Sequence, residues 1–381
     1  MNNLKKFNTN AEYQAWKSGD DYVFPNVCKV GEEVVYNNYP DPFWVEVLED
    51  VIVNCYYIGD KRYYSKYSYD KANWTSFTES GVVLRTGEKL YIINTVGYAP
   101  LLFVTGKYNL GGSILSLVHG ADYLQYDSHR ADFFRSGELL KNASSVVDAT
   151  ELVLPSVITE YNGSGNGQYY SLFEGCKLLK SAPRLTATSL YNGTYERMFT
   201  QCESLTKAPT LPRSSTDDRC YKLMFSGCTK LSYIKMMSTQ GFSSSNDGDG
   251  WSTNWVYGVA ATGTFIANAK RTDFTRGAHG IPEGWDLYLY DEDNDRYVVK
   301  FTVNNIPYEF YTDEPRDVTW DEFCRSEYNT NGFTYPIGAS RGPVKSGSDF
   351  ILLDGNNVME DDEIVLNASY TIGQPTETTE E

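Results

Sequence analysis

The sequence predicts a multidomain α+β protein in which an N-terminal segment, a β-sandwich, a solenoid of short repeats and a small β-grasp-like module follow one another. Three observations carry this prediction. Six apolar positions recur at a spacing of 26 through the middle of the 381 residues. Ahead of them, short β-rich runs alternate with turn residues. Behind them, residues 286–381 hold 21 acidic and 6 basic residues, a net of −15 against −17 for the whole chain. A compositional break of that size marks a module boundary near residue 286, and the length allows two or three domains.

Residues 1–38 read as a segment of their own. Thr9 or Asn10 can cap a short helix over residues 11–17, with Gly19 ending it. Phe24 and Pro25 then lead into an extended polar stretch. In 39–108 the runs 45–55, 62–69, 81–85, 89–93 and 101–105 predict strands at the spacing of a β-sandwich. Residues 85–89 (RTGEK) read as a hairpin turn. The tyrosines between 56 and 69 suit either cross-strand packing or an exposed sticky face.

The solenoid is predicted over 109–285. Its register is Tyr169, Tyr195 and Tyr221; Phe173, Phe199 and Phe225; Cys176, Cys202 and Cys228; and Leu179, Leu205 and Leu231. Ala182 and Ala208 continue with Ile234, and Leu185 and Leu211 with Met237. Tyr195, Met198, Phe199 and Cys202 stand at i, i+3, i+4 and i+7, the stripe of one helical face, so each unit should open with about two helical turns. Pro209 and Pro212 exclude a continuing helix and call for an extended segment instead. One such unit cannot bury its apolar face alone, so successive units must stack. Val146, Ala149 and Leu152 predict an earlier, degenerate unit displaced by 33, the extra length falling in the glycine-rich residues 161–167. After Ser238 the pattern stops, and Trp251, Trp255, Phe265, Ile266, Ile281 and Trp285 read as a cap over the last unit.

Residues 286–373 predict a hairpin, 297–303 and 307–311 around Asn304 and Asn305, then a helix over 320–327 capped by Thr319, then strands at 350–353 and 364–372. That ββαββ order suggests an acidic β-grasp-like domain. Residues 374–381 read as a disordered polar tail.

The same residues exclude several functions. A net charge of −17 argues against nucleic acid or an anionic membrane as partner, because both demand a basic face. No apolar run nears the roughly 20 residues of a membrane span, and no signal-peptide core opens the chain. Phosphate-cradling, dinucleotide-binding and zinc-protease motifs are missing, so neither cofactor nor metal is expected. One sulfur per 26 residues is not zinc-ligand spacing. The cysteines read as reduced, small apolar core residues. His119, His129 and His279 are scattered. Asp217 with Asp218, and the run 360–363 (EDDE), are the carboxylates that could serve a glycan hydrolase, yet adjacent acids of this kind read as solvated charge. No catalytic residue is expected, and the chain is read as a non-enzyme.

Residues 199–211 (FTQCESLTKAPTL) resemble the BspA-like leucine-rich repeats of Bacteroides and Treponema surface proteins. Residues 262–285 (TGTFIANAKRTDFTRGAHGIPEGW) are similar to the cap that follows such repeats in virion proteins of crAss-like bacteriophages. The resemblance implies a solenoid that presents a surface for protein or glycan contact. Residues 7–27 (FNTNAEYQAWKSGDDYVFPNV) are similar to N-terminal segments shared by structural proteins of that phage group, which implies attachment to the virion through Phe7, Tyr13, Trp16, Phe24 and Pro25. Residues 320–333 (WDEFCRSEYNTNGF) resemble a segment that recurs in phage and Bacteroides proteins. The expectation is a virion structural protein, a capsid-attached head fibre that adheres to host polymers or mucus. It is expected to be a homodimer or homotrimer bound to capsid or other virion proteins, and to present its surface to a host glycan or protein. The alternatives are a tail-fibre or baseplate receptor-binding protein and a bacterial surface adhesin.

Overall fold

A computed structural model describes residues 5–7, 26–30, 33–37, 41–57, 62–95, 100–120, 138–140, 143–158, 167–187, 189–211, 217–243, 250–303, 305–331, 343–347, 349–350, 359–360 and 363–364. Among these, the chain is β-rich and multidomain, with several separate sheets, few and short helices, and no sheet closed into a barrel. It divides into two units. The first is Met1–Gly263 with Asp273–Trp285, and the second is Thr264–Thr272 with Asp286–Glu381.

Within the first unit, β1 (Lys5–Phe7), β2 (Asn26–Val30) and β3 (Glu33–Asn37) form a small sheet, parallel then antiparallel. Phe7 ends β1. The predicted helix 11–17, together with Tyr13, Trp16, Phe24 and Pro25, lies outside the described residues.

The next strands are β4 (Trp44–Val47), β5 (Val51–Tyr56), β6 (Ser65–Ser68), β7 (Thr75–Ser76), β8 (Val82–Leu84), β9 (Lys89–Asn94), β10 (Leu101–Val104) and β11 (Tyr108–Ser113). They sort into two sheets, β10-β5-β8 and β12-β11-β4-β9-β6-β7, where β12 is Val146–Val153. The strand expected over 45–55 is thus two strands in two sheets. Leu48, Glu49 and Asp50 break it because their polar groups serve other backbone. The Asp50 carboxylate accepts the Thr86 amide at 2.9 Å and the Arg85 guanidinium at 2.6 Å, and Glu49 accepts the Lys107 amide at 2.8 Å. Residues 85–88 do form a turn, but it joins β8 in one sheet to β9 in the other and is not a hairpin.

The alternation of each strand decides what is buried. Val51, Val53 and Cys55 of β5 face the interior while Ile52 stays outside, and Val45, Val47, Leu90 and Ile92 are buried on β4 and β9. The Trp44 indole lies across Gly111 of the neighbouring β11, where a Cβ would stand 2.3 Å from the ring. A four-residue helix, α1 (Ser116–His119), and the parallel pairing of β11 with β12 lead into the repeats.

The second unit is built on β14 (Thr264–Asn268), β15 (Asp286–Asp291), β16 (Arg296–Val303) and β17 (Ile306–Thr312), β13 (Tyr233–Met236) being the last strand of the first unit. β14 runs parallel to β15, and β15-β16-β17 continue antiparallel. Strand β14 was expected within the solenoid cap, and the structure instead places it in the acidic unit. The helix α2 (Trp320–Cys324) follows β18 (Val318–Thr319). It carries the predicted Thr319 cap as a full capping box with Glu322, and it ends at Cys324 rather than residue 327. Val299, Phe301, Val303, Tyr308, Phe310, Trp320 and Phe323 make its core, joined by Val344 of β19 (Pro343–Val344). Strand β20 (Asp349–Phe350) lies parallel to β16. The strand expected over 364–372 lies mostly outside the described residues, of which only 363–364 pair, with Met359–Glu360.

Candidate binding surface of the repeats

Residues 167–258 contain no helix among those described. The helical stripe expected from Tyr195, Met198, Phe199 and Cys202 is corrected by the backbone, which runs as overlapping four-residue turns. Glu196, Met198, Thr200 and Cys202 each donate their amide to the carbonyl three residues back, whereas the helical bond is to the fourth. The intervening residues donate outward instead. Gly193, Tyr195, Arg197, Phe199 and Gln201 bond the carbonyls of Asp218, Cys220, Lys222, Met224 and Ser226, 25 residues ahead, at 2.8–2.9 Å. Every fourth residue turns left-handed to make this alternation possible. Gly193, Arg197 and Gln201 have φ of 66°, 58° and 60°, and Arg219, Leu223 and Gly227 repeat them at 57°, 56° and 76°. A period of four residues puts the same apolar spacing on one side as a helix does, so the stripe alone could not distinguish them.

The sequence-predicted core residues are brought together. Tyr169, Tyr195 and Tyr221 stack with centroids 5.7 and 6.0 Å apart and planes within 10°. Phe173, Phe199 and Phe225 do the same at 5.4 and 5.6 Å. All six rings, with Leu179, Leu205 and Leu231, are at most 1% exposed. The backbones approach closely enough that a Cβ on Gly167 would stand 2.2 Å from Gly193.

The cysteines have a further role. The Cys202 thiol donates to the Phe173 carbonyl at 3.2 Å and the Cys228 thiol to Phe199 at 3.0 Å, each 29 residues back. Cys220 makes the same 29-residue link to Tyr191 at 3.2 Å. Burial pushes Cys176 and Cys228 up to about 12, so these thiols stay protonated at neutral pH and are poor nucleophiles.

The extended segments also run side by side. Asp148 pairs with Ser181, an offset of 33, and Lys207 pairs with Tyr233, an offset of 26, both parallel. At the far end, residues 251–258 form another coil, with Tyr221, Leu223, Phe225 and Gly227 donating to Trp251, Thr253, Trp255 and Tyr257. This coil was expected only as a cap. Its outward amides are taken by the segment beyond: His279 Nδ1 accepts from Asn254 at 3.0 Å, and the Ala278 carbonyl accepts from Val256 at 3.4 Å. His279, scattered in sequence, therefore closes a backbone ladder.

The surface polar groups differ around each coil. On the turn side, Glu174 pairs with Arg197, and Glu196, buried at 5% side-chain exposure, pairs with Arg219 at 2.7 Å beside Lys222. Burial raises Glu196 above the usual carboxylate value despite these cations. Burial also pushes Glu174 up, but the Arg197 guanidinium overcomes it and holds that carboxyl low. Asp217 and Asp218 are exposed, Asp218 lending its carbonyl to Gly193. Asp361, Asp362 and His129 lie outside the described residues. Among the described residues no three His, Cys, Asp or Glu side chains gather as a metal site would need, and no helix is long and apolar enough to cross a membrane.

The chain matches no protein-family model, no curated protein and no solved structure.

Proposed function

We propose that residues 109–285 are a solenoid of leucine-rich-repeat type and that the protein is a non-enzymatic virion component, a capsid-attached fibre of a crAss-like phage that adheres to host polymers. One observation carries the reading: the residues that repeat most strictly, the Tyr, Phe, Cys and Leu columns, are all interior. Strict repetition of an interior, with no reactive group in it, supports a scaffold whose outward face is the working part. Many copies on one particle would then multiply weak contacts into firm attachment without any single tight site. On this reading, β16, β17, α2 and the parallel β20 are a β-grasp-like module, and the two sheets of residues 44–113 are a sandwich that joins the anchor to the repeats.

The resemblance of residues 7–27 to virion attachment segments supports an anchor in residues 1–38. Deleting residues 1–38 should leave a soluble protein with unchanged unfolding of both units that no longer joins phage particles. Incorporation of the truncated chain at the wild-type level would overturn the anchor. Incubating purified protein with capsular polysaccharide should leave its viscosity unchanged, and a steady fall would move the protein to the hydrolase class.

A further inference from the structure

Charge is not spread evenly around the repeats. Residues 169–237 hold 10 basic and 5 acidic residues, a net of +5 in a chain of −17. The surplus sits on one side. The bends and extended segments, 177–186, 203–211 and 229–237, carry six basic residues (Lys177, Lys180, Arg184, Lys207, Lys230, Lys235) and one acid, Glu203. That acid is already paired with Lys177 at 2.8 Å. The turn side by contrast holds Glu174 and Glu196 in ion pairs with Arg197 and Arg219.

The geometry fixes where these cations point. Ala208 and Ile234 are buried, so their neighbours Lys207 and Tyr233 face outward. Lys207 lies over the Tyr233 ring of the next coil at 4.9 Å, which places both on the same outer surface. Lys180 and Lys230 are exposed, as is Lys207. Successive coils lie about 5 Å apart, the distance between neighbouring strands, and Lys180, Lys207 and Lys230 contribute one exposed cation from each of three successive segments. We propose that this face binds a linear acidic glycan laid across the coils, its carboxylate or sulfate groups meeting one cation per coil.

A single polysaccharide strand fits where a wider polyanion does not. The face spans three coils, about 10 Å at the spacing of neighbouring strands, and the chain as a whole carries −17, so a polyanion denser in charge meets net repulsion. The inference rests on the adhesion reading above and names the ligand class for it.

The test uses the full chain and three polymers: polygalacturonate (carboxylated), dextran sulfate (sulfated) and plain dextran (neutral). The acidic polymers should bind at low ionic strength and be released at about 0.5 M salt, while dextran should not bind. Lys180→Glu with Lys207→Glu should weaken binding about tenfold or more. Lys66→Glu with Lys107→Glu, which changes the net charge equally but elsewhere, should leave it within about twofold. Unchanged thermal unfolding keeps both variants comparable. Equal losses in the two variants would overturn the site, as would binding of duplex DNA tighter than either acidic glycan. Dextran bound on a par with the acidic polymers would overturn the charge-based ligand while leaving adhesion standing. Low-salt self-association abolished by the Lys180/Lys207 pair, with no polymer bound, would reassign the face to an acidic protein surface and overturn the glycan. Virion incorporation and viscosity report on the proposed function separately.

Discussion

The repeats and the second unit bury similar side chains but satisfy their backbones in opposite ways. In the hairpin of β16 and β17, residues that bond are near in sequence, Val303 facing Ile306 and Tyr297 facing Thr312. In residues 167–258 alternate amides reach a carbonyl 25 or more residues away. The first arrangement survives the loss of one side chain locally. The second ties each coil to its neighbours through the backbone, two ring columns and a thiol at once, so a defect in one coil is felt by the next. The difference teaches that periodic residues here specify translation of the chain and not the conformation of any one unit.

The comparison breaks most visibly at its centre. Phe199 stacks between Phe173 and Phe225 and is fully buried; Phe323 is equally buried in the second unit. Phe199→Ala should cost about 3–5 kcal/mol, read by urea unfolding as a shift of the repeat transition with the second unit unmoved. Phe323→Ala should shift only the other transition. A single transition displaced equally by both would mean that the units do not unfold separately.

A smaller effect sharpens the role of the thiols. Cys202→Ala should cost about 1–2 kcal/mol, combining lost volume with the lost bond to Phe173. Cys202→Ser keeps a donor and should cost less. If serine proves the more damaging, the column is held by apolar packing alone.

How far the sequence can be read is visible in these same residues. Offsets of 26 and 33 were legible because a stacked interior must repeat its rings. The turn-by-turn backbone was not, because a four-residue period and a helix present the same stripe and only φ separates them. The coil at 251–258 was hidden for another reason. Its offset of 31 from the preceding coil breaks the count, and Ser252, Val256 and Val259 stand where Tyr221, Phe225 and Cys228 would predict aromatic and sulfur side chains. Its backbone pattern survives this because it depends on left-handed positions, here Asn254 and Gly258. The proposed ligand face was legible only as a charge count until the Lys207–Tyr233 contact oriented it.

Gln201 puts the helix and the turn coil in direct opposition. It is exposed, at φ 60°, and its repeat mates Gly175 and Gly227 are glycines at φ 76°. In a helix, Gln201→Gly would cost about 1 kcal/mol. In the turn coil the relief of a left-handed Cβ, about 1–2 kcal/mol, outweighs the added freedom of the unfolded chain. The variant should therefore be neutral or slightly stabilised, and Gln201→Val destabilised by about 1 kcal/mol or more.

The least effect is also the one whose sign is easiest to mistake. Glu196 and Glu174 are neighbouring turn-side carboxylates with opposite shifts. Glu174 is held low by Arg197, so its contribution is present above its ordinary 4.5 and is lost as pH falls through the lowered folded value. Glu196 is raised by burial, so the folded state takes its proton more readily than the unfolded chain. Its contribution is favourable below 4.5 and is lost as pH rises through the raised folded value. Glu196→Gln should therefore flatten the stability profile just above pH 4.5, wild type gaining on the variant as acid is added, while Glu174→Gln removes a loss on the acid side. Should Glu196→Gln instead steepen the acid limb, the two arginine-paired carboxylates act alike, and the burial of Glu196 is offset fully by Arg219.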